Sequence, residues 1–347
     1  MLSQPVKDFQ QFLEQSQRRI LASLDIAEDN IFQSSTFTAN SFAATLTAAE
    51  VKRLKKHPAV AAIEPDVLFT KLTTDSPRFL KLPETLWPAT GGQDSAGEGM
   101  VIGIIDTGIW PEHPSFSDPA YKPYSKPPRR WRGRCEKRSD FSACNRKVIG
   151  ARFFNKGFKR NVGAISSSAD YMSPRDADGH GTWCAGAAAG NGHVQYAAGT
   201  GYSYGNTSGM APRARLAIYK VLWKQRDGQT LATYSDIRAA VDAAVSDGVD
   251  VLSISLGGNV PSYFSDIAYL NAAKAGVFIA MAAGNSGHPS PKKLVGTIGN
   301  ASPFYLTVGA RYAFMGLAPY AFVVAGCASI DAGLRVLWVL FIPSMWT

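Results

Sequence analysis

The sequence predicts an α/β protein, a parallel sheet with helices on both faces, preceded by a small α+β unit. Continuous apolar runs such as Met100-Val-Ile-Gly-Ile-Ile105, ending on Asp106, read as strands buried on both faces. Helical segments alternate with these runs and close on glycine, which makes repeated β-α-β units. The first 72 residues follow a different pattern and form the smaller unit.

Within residues 1–72, Thr47-Ala-Ala-Glu50 is a capping box that opens a short helix. Lys52, Arg53, Lys55 and Lys56 near its end suit the helix dipole, and His57-Pro58 stops it. Val60 to Ile63 reads as a strand, followed by Glu64-Pro65-Asp66 and an extended stretch to Leu72. From about Gly99 the alternation begins. Arg215 to Leu222 is a second buried strand. Thr233 to Asp247 is a helix, because Ile237, Ala240, Val241, Ala244 and Val245 recur at helical spacing. Thr233-x-x-Asp236 can cap its start, and Gly248 stands where a C-terminal glycine belongs. Val249 to Leu256 is the next strand, Asp266 to Ala275 a helix closed by Gly276, and Val277 to Ala283 a strand. There is no internal repeat.

At 46% hydrophobic and 18% charged residues, the chain of 347 buries a sizeable core and is not disordered. Its length fits two domains, or one large domain with an appendage. The net charge of +9 is uneven: fourteen Lys and Arg between Lys122 and Arg160 face only Glu136 and Asp140. No nucleic-acid motif accompanies them, and the Pro-rich run Lys122 to Trp131 reads as a solvated insertion; no nucleic-acid partner is expected. Four cysteines are too few for a disulfide scaffold, although Cys135 and Cys144 could form one bridge in an oxidising compartment. His180 and Cys184 share a helix face with His193 nearby, but no second paired-ligand motif exists. Neither a metal nor a cofactor is expected. Met1 to Asp8 lacks an apolar h-region, so no signal peptide is expected. Ala313 to Ile330 carries no charge, but Pro319 and its small residues argue against a membrane span, apolar as the C-terminal tail is.

Three residues stand where functional groups collect, beyond the carboxyl ends of parallel strands or beside them: Asp106, His180 and Asn285. Each has a plain structural reading, as turn former, core histidine and loop amide. Together, in glycine-rich contexts on one α/β sheet, they are the acid, imidazole and amide that acyl transfer requires. Asp106-Thr-Gly108 also occurs in aspartic proteases, which need two such carboxylates; only one copy is present here.

Val101 to Phe116 closely resembles the aspartate motif of plant subtilases, and Ser173-Pro-Arg-Asp-Ala-Asp-Gly-His-Gly-Thr182 their histidine motif. Cys144 to Arg152, Ser208 to Pro212, Ala217 to Val221, Asp247 to Gly258 and the Asn285 segment follow in the order of that family. The resemblance spans roughly residues 40 to 310. It implies a serine endopeptidase with an Asp-His-Ser triad, in which Asp106 orients, His180 is the general base and Asn285 the oxyanion donor. Ser255, Leu256 and Gly257 resemble the strand that pairs with an extended substrate and walls its primary pocket; Ala283 and Gly284 resemble the opposite wall. Residues 1–72 resemble the inhibitory prodomain, with Thr73 to Leu80 like a mature start. Residues 73–310 are then the N-terminal part of the peptidase domain, and 311–347 an unrelated tail. The implied partners are peptide or protein substrates and the prodomain of this or a related subtilase, and the implied location is extracellular or secretory.

Two departures stand out. The Gly-Thr-Ser-Met segment that bears the nucleophile in this family does not occur. Ser208-Gly-Met-Ala-Pro212 matches another family segment, and Ser286, Ser290, Ser302, Ser329 and Ser344 lie outside any Gly-Thr-Ser context. The chain is therefore expected to stop short of the serine and to be inactive, or to act as a non-catalytic regulator through its prodomain. The second departure is Trp183-Cys184, where the family has His-Thr.

Overall fold

The computed structural model describes residues 3–37, 39–63, 68–69, 80–119, 122–142, 144–197, 203–257, 263–284, 298–314 and 319–325. The N-terminal unit comprises α1 (Gln4–Ala22), the antiparallel pair β1 (Ile31–Ser35) and β2 (Ser41–Ala44), and α2 (Ala48–Leu54). Leu21, Ile26 and Leu54 form its core, with Ile20, Phe42, Val60 and Ile63 packed around them. The capping box at α2 is present: the Glu50 N–H donates to Thr47 Oγ1, and the Thr47 N–H donates to the Glu50 carboxylate at 2.6 Å. That bond lowers the pKa of Glu50. Val60 to Ile63 is not a strand. The Val60 N–H closes a turn onto the His57 carbonyl, and the segment has no ladder partner among the described residues, so its apolar side chains serve the small core instead.

The larger unit is built on a seven-stranded sheet. Its strands are β3 (Val101–Asp106), β4 (Val148–Phe153), β5 (Arg215–Lys220), β6 (Val251–Ile254), β7 (Phe278–Ala282), β8 (Leu306–Phe314) and β9 (Pro319–Ala325). The spatial order is β9-β8-β7-β6-β3-β5-β4, parallel except for the edge strand β9. β8 runs without a break across residues 310 and 311.

Side-chain parity divides the core into two layers. Val101 and Ile105 on β3 join Ala217, Tyr219, Leu252 and Ile254 against the helix at Tyr234–Asp247. Ile102 and Ile104 point the other way, with Leu216 and Ile218, onto the helix at His180–Ala189. Helices thus cover both faces, as the unbroken apolar runs require. Besides the single helical turn Leu86–Ala89, the helices in chain order are α3 (Lys156–Asn161), α4 (His180–Ala189), α5 (Tyr234–Asp247) and α6 (Tyr263–Lys274). α5 ends on Gly248 at φ 88°, but its expected Thr233–Asp236 cap is absent. Asp236 is buried and turned toward α3, where it accepts the N–H groups of Gly157 (3.0 Å) and Phe158 (2.8 Å) and the Thr233 hydroxyl. The carboxylate binds two donors of a neighbouring helix in place of one at its own.

The two units are in contact. β1 packs on α5 and α3. The Thr36 N–H donates to Asp242 Oδ2 (3.2 Å), Arg238 to Ser41 Oγ and Arg160 to Thr45 Oγ1 (2.6 Å). Further on, Leu68–Phe69 lies antiparallel against the short strand Thr230–Thr233.

Candidate active site

Asp106 is the last residue of β3 and shares the parity of Ile102 and Ile104, so its carboxylate faces the α4 side of the sheet. His180 is the first residue of α4. The two meet although 74 residues separate them: Nδ1 lies 2.8 Å from Asp106 Oδ1, with Asp106 1% and His180 8% exposed. Facing a carboxylate, Nδ1 carries the proton, and Nε2 is left to accept one. Asp106 Oδ1 also accepts the Thr107 N–H at 2.7 Å.

Close approach of loop and helix makes the pairing possible. Gly108 has φ 113°, and a Cβ there would sit 2.4 Å from the Pro174 carbonyl. A Cβ on Gly181 would sit 2.4 Å from the Gly108 carbonyl. With both side chains absent, Thr107 Oγ1 reaches the Gly181 N–H at 2.7 Å and ties the helix start to the strand end. Asp176 holds the same helix start from the other side. Its carboxylate accepts the N–H groups of Asp178 (2.9 Å), Gly179 (2.8 Å) and Thr182 (2.9 Å), and the Thr182 hydroxyl (2.5 Å). The Thr182 hydroxyl oxygen in turn accepts from the Trp110 N–H. Lys220, fully buried, anchors the preceding loop by donating to Asp170 (2.6 Å) and to the Arg175 carbonyl (2.5 Å). Burial pushes the pKa of Lys220 down and that of Asp170 up, each partly offset by the other's charge.

Cys184, one helical turn after His180, is buried with its sulfur 3.7 Å from Nδ1. Burial, with the neighbouring Asp106 charge, holds its thiol pKa well above the usual range. Ser255, on the α4-side parity of β6, is 2% exposed and directs its side chain to that sulfur. Leu256 is buried, and Gly257 lies opposite Gly284: a Cβ on Gly257 would be 3.8 Å from the Gly284 Cα. Ala283 and Gly284 follow β7 directly, both half-buried. Asn285 lies outside the described residues.

Four contributors escaped the sequence reading. Asp176 was visible only as part of the Ser173–Thr182 motif. Thr107 and Lys220 carried no signal beyond their places at strand ends. Asn300, buried 44 residues from Leu256 and 18 from Ala282, donates from Nδ2 to the carbonyls of both at 2.8 Å, and so ties together the chain segments that leave β6 and β7. His193 stands apart, paired with Asp94 at 2.9 Å. Cys135 and Cys144 are disulfide-bonded, with Cα atoms 6.0 Å apart.

A parallel α/β sheet carrying a buried aspartate–histidine pair at a strand end is the framework of the subtilisin fold. The Subtilase family profile matches residues 97–316, and the chain belongs to that family. The Peptidase inhibitor I9 profile matches residues 3–70. The chain is 43% identical over 281 residues to Subtilisin-like protease SBT2.5 of Arabidopsis thaliana, covering 78% of this chain and 33% of the relative. It is 42% identical over 296 residues to Subtilisin-like protease SBT1.5 of the same plant (84% and 36%). With Subtilisin-like protease SBT1.6 it shares 45% over 282 residues (78% and 35%). The chain thus spans about a third of the length of the curated relatives it matches.

Proposed function

We propose that this chain carries the acid–base half of a serine endopeptidase together with the prodomain that restrains it. The observation that carries the reading is the buried 2.8 Å contact between Asp106 and His180. In this reading Asp106 fixes the ring with Nε2 toward the cleft, and Nε2 takes the proton from a serine hydroxyl and later returns it to the leaving amine. Asn285 donates to the oxyanion, which a preorganised amide stabilises by about 3–4 kcal/mol. An extended peptide or protein substrate lies along Ser255, Leu256 and Gly257, with Ala283 and Gly284 closing the pocket. No serine in a Gly-Thr-Ser context is present, so the chain by itself binds without hydrolysing. An aspartic mechanism is not favoured, because the partner of Asp106 is an imidazole and not a second carboxylate.

Residues 1–72 act as the inhibitory prodomain and 73–310 as the N-terminal part of the peptidase; of the expected tail 311–347, residues 311–314 and 319–325 lie in the same sheet, as the end of β8 and as β9. The docking of β1 on α5 and α3 supports this division, as does the strand-like pairing of Leu68–Phe69 with Thr230–Thr233, the manner in which an extended inhibitor adds to a strand. The same contacts support a regulatory use of residues 1–72 on a related subtilase. The Cys135–Cys144 bond is consistent with passage through the secretory route or an extracellular location.

The test is a chimera joining residues 1–310 to the nucleophile-bearing remainder of one of the Arabidopsis relatives. It should process its prodomain and react with a fluorophosphonate at one serine. Asp106→Asn should lower kcat by about 10⁴-fold, and His180→Ala by at least as much. Undiminished turnover in either variant would overturn the assignment. The chain alone should not label.

A further inference from the structure

We propose that Asp106, His180 and Cys184 form a three-donor site for a thiophilic divalent cation of the zinc class, and that occupancy switches off the aspartate–histidine pair. His180 and Cys184 share a helix face, but the sequence offers no second paired-ligand motif, and His193 is paired with Asp94. The third donor is Asp106. A carboxylate oxygen of Asp106, a ring nitrogen of His180 and Cys184 Sγ all lie within 4.8 Å of one another, and all three residues are buried. A second observation points to a ligand. Asp106 Oδ2 is buried without a hydrogen-bond partner among the described residues, although its residue is only 1% exposed. A carboxylate oxygen in that state is costly unless something electropositive approaches it.

The geometry suits a small tetrahedral ion. Bonds of about 2.0–2.3 Å to oxygen, nitrogen and sulfur place the donors about 3.3–3.6 Å apart. Sγ and Nδ1 stand 3.7 Å apart already. Nδ1, now 2.8 Å from Oδ1, gives up that hydrogen bond when the ion takes it, and the unpartnered Oδ2 is the carboxylate oxygen left to serve as the third donor. The mixed sulfur, nitrogen and oxygen donor set selects zinc or cadmium over magnesium or calcium, which require oxygen donors. Cys184 lies where the chain departs from the family motif at Trp183-Cys184, so the site is a property of this chain's own residues.

The proton count closes. In the resting pair the neutral imidazole carries its proton on Nδ1. The cation binds Nδ1, that proton moves to Nε2, and the Cys184 thiol proton is released to solvent as the sulfur becomes a thiolate ligand. One proton leaves per ion bound. Nε2 then bears a hydrogen and cannot accept one, so the base is disabled by the ion that binds beneath it.

Binding is read directly, so the outcome stands apart from the peptidase assignment. The full chain with Cys327→Ala, leaving Cys184 as its remaining free thiol, is titrated with CdCl₂ or ZnCl₂ and followed by calorimetry and by the ultraviolet thiolate-to-cadmium absorption. One ion per chain is expected, with the thiolate band appearing at the same stoichiometry and MgCl₂ producing neither. Cys184→Ala, a small truncation monitored for retained fold by circular dichroism, should abolish the band. Asp106→Asn should weaken affinity by at least tenfold. A titration without a thiolate band, a band unchanged in Cys184→Ala, or equal affinity in Asp106→Asn would each overturn the three-donor site.

Discussion

Asp176→Ala removes the acceptor that gathers the start of α4. The carboxylate holds three backbone N–H groups and one hydroxyl within 2.5–2.9 Å. Neutral loss of an N-terminal carboxylate cap costs about 1–2 kcal/mol. The Thr182 hydroxyl adds a further bond to a charged group, but Gly179 is exposed, and water reaching its N–H recovers part of the loss. A net destabilisation of about 2 kcal/mol follows, which lowers the melting midpoint of a unit this size by about 4–8 °C. The effect is not confined to stability, because the frayed residues include His180 itself. Thermal unfolding by circular dichroism measures the first consequence. Proton NMR of the hydrogen shared by His180 and Asp106 measures the second, and that resonance should broaden or vanish well below the unfolding transition. Asp176→Asn, which keeps one acceptor oxygen, should fall between the two. A midpoint within 1 °C of the parent, with the shared-proton resonance intact, would refute the view that Asp176 positions the base.

Reducing the Cys135–Cys144 bond, or replacing both residues with serine, opens a loop of nine-residue separation. Chain-entropy arithmetic for such a loop predicts a loss of about 2.5–3 kcal/mol, visible as a lower denaturant midpoint at unchanged slope. If the midpoint does not move, the bridge is not closing that loop in the folded chain. Glu50 supplies a pH-dependent contribution. Its folded-state pKa is depressed, first by the Thr47 N–H and then by the Thr47 hydroxyl, so its stabilisation is complete above the unfolded carboxyl value. It is lost as pH falls through the lowered folded value. Far-UV ellipticity of the full chain should therefore show an acid limb near α2 that Glu50→Gln flattens; identical limbs in the two proteins would contradict the capping role.

Four of the seven strands, β3, β5, β6 and β7, can be read from the chain because they are uninterrupted apolar runs at the centre of the sheet, whereas Val148–Phe153, Leu306–Phe314 and Pro319–Ala325 carry no such signal. Met100–Ile105 and Arg215–Leu222 fall within one residue of observed strands at one or both ends. α5 was equally plain from its 3.6-residue repeat. The reading failed where short segments depend on distant partners. Val60–Ile63 has the composition of a strand but no ladder to join, and Asp236 has the spacing of a cap but a better pair of donors on α3. Asn300 is a lone amide in the sequence. It gains meaning only because β6 and β7 are neighbours, so that the carbonyl of Leu256, just past β6, and that of Ala282, at the end of β7, both come within its reach.

The encounter of Asp106 with His180 shows why residue types were readable while their arrangement was not. Parity alone sends Asp106 to the α4 face: if β3 ended one residue earlier or later, its terminal side chain would point into the layer of α5. The helix must then start within hydrogen-bond reach of the strand end, and at the observed spacing any β-carbon at 108 or 181 collides with a carbonyl. Two glycines, one threonine hydroxyl and one aspartate cap therefore hold His180 against Asp106. None of them carries chemistry that a reading of catalytic residue types would select. All of them lie between residues 107 and 181. The aspartate–histidine contact is thus held by residues that all lie between 106 and 182. A base positioned in advance costs no reorganisation when a nucleophile arrives. The same contacts keep a carboxylate oxygen of Asp106, a ring nitrogen of His180 and Cys184 Sγ within 4.8 Å of one another.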